Sequence, residues 1–412
     1  MQPVLVPQYL RHFSCDGLAC EDNCCIGNWT ITVDELTFKK LKKIKHPTLK
    51  PLIDKTFKRK KNNPTPEFFA QLKQDKDLGR CIFLTANMLC KLQLELGADY
   101  LCKTCLTYPR TTNIVDGVIE ESLSMSCPIA AKLALLNKNM MEFDKILAPS
   151  GKRYIINVTA EPKNPIFKDK PLKYFWEMRS FSIELLQKRN YDLEERLVIM
   201  GLLFQQVDKL VQENNVHQIP KTIDSFSALA NSGYFKEQLE KIPAENYIQL
   251  KILKQLVDER VLRGINIHRY LECLSECLHG LEFNLNVPVE AISEKYIEAY
   301  NKYYLPYIKT NEHILENYLV NYAFRMLFPF SGRDTFFDNY MMLIINFCLI
   351  KMHLIGIARF NKESFGEEQT IKLIQSFSKT VEHSRDFLDI IYQLLKNNNL
   401  NNMTYMAILI RN

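Results

Sequence analysis

Glycine is scarce in this chain: 13 residues in 412, no two of them closer than ten positions. Neither a G-x-G-x-x-G nor a Walker loop can be assembled from so few, which excludes a Rossmann-type or P-loop phosphate cradle. G-x-S-x-G and H-E-x-x-H are also missing, so hydrolase readings have no anchor. Charge of one sign is lacking too. Lys and Arg total 53 against 47 Asp and Glu, spread too evenly for the basic stripe of a nucleic-acid surface. The densest basic run, Lys58-Arg59-Lys60-Lys61, leads into Asn62, Asn63 and Pro64 and reads as a solvated loop. Apolar runs are short. The longest, Tyr340 to Ile350, stops at Lys351, below the roughly 20 residues a bilayer needs. Met1 to Phe13 carries Pro3, Pro7 and Arg11 where a signal peptide would be apolar. The expectation is a cytoplasmic protein with no membrane and no nucleic-acid partner.

What is abundant is cysteine, and it is placed unevenly. Nine of the twelve lie at or before Cys127, and the rest of the chain holds three. That asymmetry divides the sequence. The first part, 1–136, mixes short elements: Ile31-Thr32-Val33 reads as extended, and Asp34 as the cap of a helix through Glu35 and Leu41. Residues 137–171 carry Pro149, Pro162, Pro165 and Pro171 and read as an irregular linker with one short strand at Arg153 to Val158. In 172–412 apolar residues recur at three-to-four spacing, as in Leu193, Leu197, Met200 and Phe204, where Asp192 and Glu195 form a capping-box signature. Similar runs cover Tyr247 to Leu262, Ile267 to Leu281, Val289 to Tyr304, Tyr307 to Phe328, Asp334 to Arg359, Glu367 to Ser378 and Glu382 to Leu395. The fold class expected is mainly α: a small, irregular, cysteine-rich metal-binding part followed by an all-α, bundle-like part.

Thiols stay reduced in the cytoplasm, so dense cysteines there point to metal or redox chemistry rather than disulfides. Cys15-x4-Cys20-x3-Cys24-Cys25 puts four thiols within 11 residues, and Cys81, Cys90, Cys102, Cys105 and Cys127 follow. Soft thiolates at short spacing suit an iron–sulfur cluster or zinc, and Cys102-x2-Cys105 can place two sulfurs on one metal. A few cysteines would read as small buried hydrophobes; nine in 127 residues do not. The pool of ligands is Cys20, Cys24, Cys25, Cys81, Cys90, Cys102, Cys105 and Cys127. Trp29, directly after the first cluster, reads as packing that shields the site from water. Cys273, Cys277 and His279 read as core packing beside Leu274 and Leu278, and His353 and His383 as satisfied core or interface residues.

Two longer patterns carry a resemblance. With Cys20-x3-Cys24-Cys25, Cys81-Ile-Phe-Leu and Cys105-x2-Tyr108-Pro109, the chain resembles the CxxCxxCC group of metal-chelating proteins. Three N-terminal stretches are more specific: Phe13-x-Cys15-x4-Cys20-Glu-Asp-x-Cys24-Cys25, Tyr100-Leu-Cys102-x2-Cys105-x2-Tyr108-Pro109-Arg110 and Ser124-Met-Ser-Cys127-Pro128. Together with Asn317-Tyr-Leu-Val-Asn321-Tyr322-x2-Arg325-x2-Phe328-Pro329-Phe330, they make the chain similar to the bacterial flagellin lysine-N-methylases, from the N-terminus to about His383. The resemblance implies methyl transfer from S-adenosylmethionine to flagellin lysines by an enzyme containing a [4Fe–4S] cluster. Arg325, with Asn321 and Tyr322 beside it, is the C-terminal site candidate; the plainer reading of Arg325 is an ion pair on a helix surface. Radical enzymes that use S-adenosylmethionine carry Cys-x3-Cys-x2-Cys, whereas Gly27 stands at the third position here, and the strand–helix alternation of their barrel is missing. Polar transfer needs a neutral amine. With a free pKa of about 10.4, neutralising lysine at pH 7 costs roughly 4–5 kcal/mol, which a site supplies by desolvation or a base. The sequence does not single out that base. The rival readings are a zinc- or iron-binding accessory protein without catalysis and an electron-transfer protein.

Overall fold

Pro3-Val4-Leu5-Val6-Pro7 opens the chain as a strand, with Val4 and Val6 buried on one face in the period-two pattern of a half-buried sheet. The computed structural model describes residues 1–27, 31–73, 79–149, 151–283 and 288–412; Trp29 lies outside them. Its strands are β1 (Gln2–Pro7), β2 (Ile31–Val33), β3 (Phe57–Arg59), β4 (Ala70–Leu72), β5 (Arg110–Val115), β6 (Val118–Leu123), β7 (Phe143–Ala148) and β8 (Ile156–Ala160). Five of them form a mixed sheet in the order β7-β1-β6-β5-β8, with β1 parallel to β6 and antiparallel to β7. The other three form a small antiparallel sheet, β2-β4-β3. β5 and β6 are joined by Asp116-Gly117, both at positive φ, the backbone that a two-residue hairpin demands.

The chain divides into two compact units. The first comprises 1–114, 118–130 and 143–159; the second comprises 115–117, 131–142 and 160–412. The first part is therefore more ordered than its expected irregularity, and the stretch read as a linker over 137–171 supplies two sheet strands, β7 and β8. Edge strands tolerate the flanking prolines that suggested a linker. In the first unit Asp34 is buried and caps the helix Glu35–Lys42 through Thr37 N at 3.0 Å. Its other oxygen accepts from Lys103 N at 3.1 Å, so one carboxylate serves two helix starts.

The second unit is helical, as the apolar spacing predicts. Leu193–Gln212 begins at the expected capping box, and the helices Asn246–Leu262, His268–Gly280, Val289–Ala299, His313–Arg325, Glu367–Phe377 and Arg385–Asn397 fall on the predicted runs. The helix Phe336–Asn361 runs through the core, buried from Phe336 to Ala358. It is long and apolar enough to cross a membrane, but its apolar window is wholly buried inside the protein, which marks a core helix. It continues through Lys351 because Glu194 and the carbonyl of Ile410 receive the buried ammonium. Gly280 and Gly356 let two helices touch: a Cβ at Gly280 would lie 1.9 Å from the Gly356 carbonyl oxygen. Two short π-helical turns interrupt the α pattern, Tyr300–Tyr304 and Ser378–Glu382.

Fully buried His353 is satisfied, as expected of a core histidine: its Nδ1 donates to Leu349 O at 2.7 Å and its Nε2 accepts from the Tyr270 hydroxyl at 3.1 Å. Burial pushes its pKa down to about 4. The unfolded chain, with an imidazole pKa of about 6.5, binds the proton first as pH falls. Stability is thus full above pH ~6.5 and declines towards pH ~4, by about 3 kcal/mol from this group. Urea unfolding at pH 7 and pH 4.5 is expected to show that decline, and His353→Gln to flatten it; an unchanged pH dependence in the variant would refute it.

Candidate functional site

The cysteine loops of the first unit are stitched by backbone bonds. Asn23 accepts from Cys25 N at 2.8 Å and donates to Met88 O at 2.7 Å. Cys81 N donates to Cys25 O at 2.7 Å, and Leu84 bridges Cys90. This brings Cys24, Cys25 and Cys81 into contact. Hydrogen bonds with Cys24 and Cys81, then burial, push the Cys25 thiol up, and donation from Cys25 holds Cys81 down. Cys102 and Cys105 repeat the arrangement: the Cys105 thiol donates, lowering Cys102 and raising Cys105 itself. The charges of Cys24, Cys81, Cys90, Cys102 and Cys105 reach one another across the group. Cys20 lies within charge range of both Cys24 and Cys15, and Cys127 within range of Cys20 and Cys15; burial raises both thiols, Cys127 to about 11. None of the twelve cysteines is in a disulfide. Among the described residues no group of three or more His, Cys, Asp or Glu side chains is arranged to hold a metal ion.

In the second unit, Arg325 ends the helix His313–Arg325 and pairs with Glu382 on the second π turn. The side chains are 10% and 4% exposed, so the pair is largely withdrawn from the surface on which it was expected. Glu382 also accepts from the Tyr318 hydroxyl at 2.7 Å and from Ser378 at 2.8 Å. Tyr322 lies beneath the guanidinium, 5.8 Å away, and Asn321 is buried. The three candidates share one helix, but Arg325 and Tyr322 gather around Glu382 in a packed interior.

A cavity of about 470 Å³ opens elsewhere in the same unit, between the start of Leu193–Gln212, the π turn Tyr300–Tyr304 and the start of His313–Arg325. Neither Arg325, Asn321 nor Tyr322 lines it. One wall is ionic. Buried Arg196 donates to Glu316 at 2.8 Å and to Glu312 at 2.6 Å, and Arg189 donates to Glu316 at 2.8 Å. Glu312 also receives Leu193 N at 3.0 Å. Another wall is aromatic: Tyr300 and Tyr304 lie 5.8 Å apart, and burial raises both phenols. Glu194, partner of Lys351, faces the same space. His313 is 8% exposed and its Nε2 has no hydrogen-bond partner. Burial, then Lys138 and Arg189, lowers its pKa. The rim carries both signs, Lys138, Lys309 and Arg411 against Asp192 and Glu195. Such a cavity can hold a charged organic molecule against aromatic rings.

Sequence reasoning missed this cavity, and it left Cys15 out of the ligand pool while counting it in the first cluster. Cys15 stands in the quoted motif and was legible. Tyr300, Tyr304, Glu312, His313 and Glu316 were not, because their partners lie far along the chain: Arg196 pairs across 116 and 120 residues.

Residues 179–409, more than half of the chain, match the FliB lysine N-methylase C-terminal domain. The match includes every cavity-lining residue except Lys138 and Arg411, and it begins beyond the nine N-terminal cysteines. Two curated relatives, the lysine-N-methylases of Salmonella choleraesuis (strain SC-B67) and Salmonella typhimurium (strain LT2), are each 25% identical over 289 residues, 68% of this chain and 68% of theirs. The flagellar biosynthetic protein FliU of Salmonella muenchen is 38% identical over 126 residues, 30% of this chain and 72% of its own. No solved structure matches the chain.

Proposed function

The chain belongs to the FliB lysine N-methylase family, and from that premise we propose that it methylates lysine side chains of flagellin in the cytoplasm, with S-adenosylmethionine as donor. The observation that carries the reading is the match over 179–409, which encloses almost the whole cavity. The donor fits that space by size and chemistry. At about 470 Å³ the cavity lies within the usual range for nucleoside-sized ligands. Tyr300 and Tyr304 offer faces to a sulfonium or an adenine, and the mixed charges of the rim suit an amino-acid head group.

The thiols of the first unit fit an iron–sulfur cluster in kind: they are soft donors, and Cys81 and Cys102 are held towards thiolate. Cys24, Cys25, Cys81, Cys90, Cys102 and Cys105 are the residues that would hold it. Such a cluster supplies electron transfer and a covalent tie among loops; the lysine chemistry proposed here is polar and rests on the helical unit.

The test is direct. Flagellin from the same organism, incubated with the protein and S-adenosylmethionine, is expected to gain one-methyl mass increments at protruding lysines, which alone can enter a desolvating cavity. No increment, together with no donor binding in a calorimetric titration, would reject the reading and leave the metal-binding accessory role.

A further inference from the structure

Basic side chains balance acidic ones in the chain's totals but not along its length. Of the 53 Lys and Arg, 11 fall within 39–61, against one of the 47 Asp and Glu, Asp54. The rest of the chain is on balance acidic. The fold gathers the basic span into one surface of the first unit. The helices Glu35–Lys42 and Leu49–Thr56 pack together and lead into β3, so Lys58 and Arg59 stand on a strand rather than in the loop expected. Asp54 ties the three elements. Its carboxylate accepts from Lys42 at 2.9 Å and Lys50 at 3.0 Å, and its carbonyl accepts from Lys58 at 2.9 Å. That occupies the span's one acid. Lys43, Lys45, Lys55, Lys60 and Lys61 are exposed, and among the described residues none of the five has an ion-pair partner.

Like charges held this close repel and cost the free protein stability, and a partner of opposite sign relieves the repulsion. We propose that this basic face docks a carboxylate-rich segment of the acceptor protein; the identity of that protein rests on the methylase reading above. The side chains favour a protein over other polyanions. Ten of the eleven are Lys, compact charges on flexible stems, whereas phosphate and base recognition favour the Arg fork. Phe57, the span's one Phe, is buried, so no ring within 39–61 is open for bases to stack on. Lipid insertion has no anchor there either: Leu41, Leu49 and Ile53 are buried, and Ile44 and Leu52 are half-buried against the same core. Docking through a part of the acceptor that does not react strengthens binding without changing the methyl transfer. The face therefore acts on KM and not on kcat.

The test combines Lys43→Glu, Lys45→Glu, Lys55→Glu, Lys60→Glu and Lys61→Glu, leaving the residues around Asp54 in place. The KM for flagellin is expected to rise about 10- to 100-fold, with kcat and donor binding within about twofold of the wild type. A short lysine peptide without acidic residues should be methylated equally by both proteins. Raising NaCl from about 0.05 to 0.3 M should weaken acceptor binding steeply in the wild type and little in the variant. An unchanged KM in the variant, or a wild-type KM indifferent to salt, would overturn the proposal. So would an unchanged KM beside lost binding of duplex DNA or phosphatidylserine vesicles, which would give the face to a nucleic acid or a membrane. If the variant does not fold, glutamine at the same five positions decides by the same criterion. A wild type that neither methylates flagellin nor binds the donor rejects the methylase reading instead. The face is then judged by direct binding of flagellin at low salt: no binding to the wild type, or equal binding to the variant, overturns it.

Discussion

Replacing Glu316 by alanine is expected to lower the stability of the helical unit by about 3–5 kcal/mol, the range for stripping one partner from a buried ion pair. Glu316 is 1% exposed and receives Arg196 through Nη1 at 2.8 Å and Arg189 through Nε and Nη2 at 3.1 and 2.8 Å. Arg189 is 37% exposed and can return to water. Arg196 cannot: its side chain is 2% exposed and fixed by the carbonyls of Tyr191 at 2.7 Å and Leu186 at 2.8 Å. The cost therefore falls on Arg196, left with Glu312 alone as its counter-charge. Glu316→Gln keeps the shape and one of the two acceptor oxygens but not the charge, and should cost less than alanine. A double cycle with Arg196→Met should give coupling well above the 0.5 kcal/mol typical of independent sites. Urea melts placing Glu316→Ala within 1 kcal/mol of the wild type, on the scale of an exposed pair, would show the carboxylate to be dispensable.

That ionic wall also explains what a reader of the sequence can and cannot find. Local chemistry was legible. Asp34 and the Asp192–Glu195 box cap helices where their side chains say they should, because capping needs only three residues of context. The nine clustered thiols announce their part of the chain by composition. The hairpin at Asp116-Gly117 carried its own turn signal, yet its strands are short and read as irregular beside so many cysteines. The parallel pairing of β1 with β6 joins residues more than a hundred positions apart, and no local pattern encodes it. The cavity is the extreme case. Glu194 meets Lys351 across 157 residues and Arg189 meets Glu316 across 127. The charged lining residues, each taken alone, look like solvated helix positions; only packing brings them around one cavity. Arg325 shows the converse, an arginine in a quoted motif whose partner, Glu382, lies 57 residues further along the chain.

Loss of the proposed cluster is expected to have its largest effect on the first unit. Protein purified and reconstituted anaerobically should be brown, with iron matched by acid-labile sulfide, because thiolate-to-iron charge transfer absorbs in the visible and d¹⁰ zinc gives no such band. Cys81→Ser should lose most of the iron. Cys81 touches Cys25, lies within charge range of Cys24, Cys90, Cys102 and Cys105, and its backbone N–H anchors the Cys25 loop. A serine hydroxyl is a hard, protonated donor and cannot replace the thiolate. Cys127→Ser, whose thiol is within range of Cys20 and Cys15, should keep more iron than Cys81→Ser does. Without metal, the loops that carry Cys24, Cys81 and Cys102 keep only a small apolar core around Ile31, Val33, Ile53, Phe57 and Phe83. Amide hydrogen exchange should then rise across 15–105 and stay near the holo level in the helix Phe336–Asn361. Because Cys81 is itself buried, the comparison that isolates the metal is Cys81→Ser against chelated wild type, whose exchange patterns should coincide. Full iron and sulfide in both Cys25→Ser and Cys81→Ser, or colourless wild type with stoichiometric zinc after anaerobic reconstitution, would overturn the cluster.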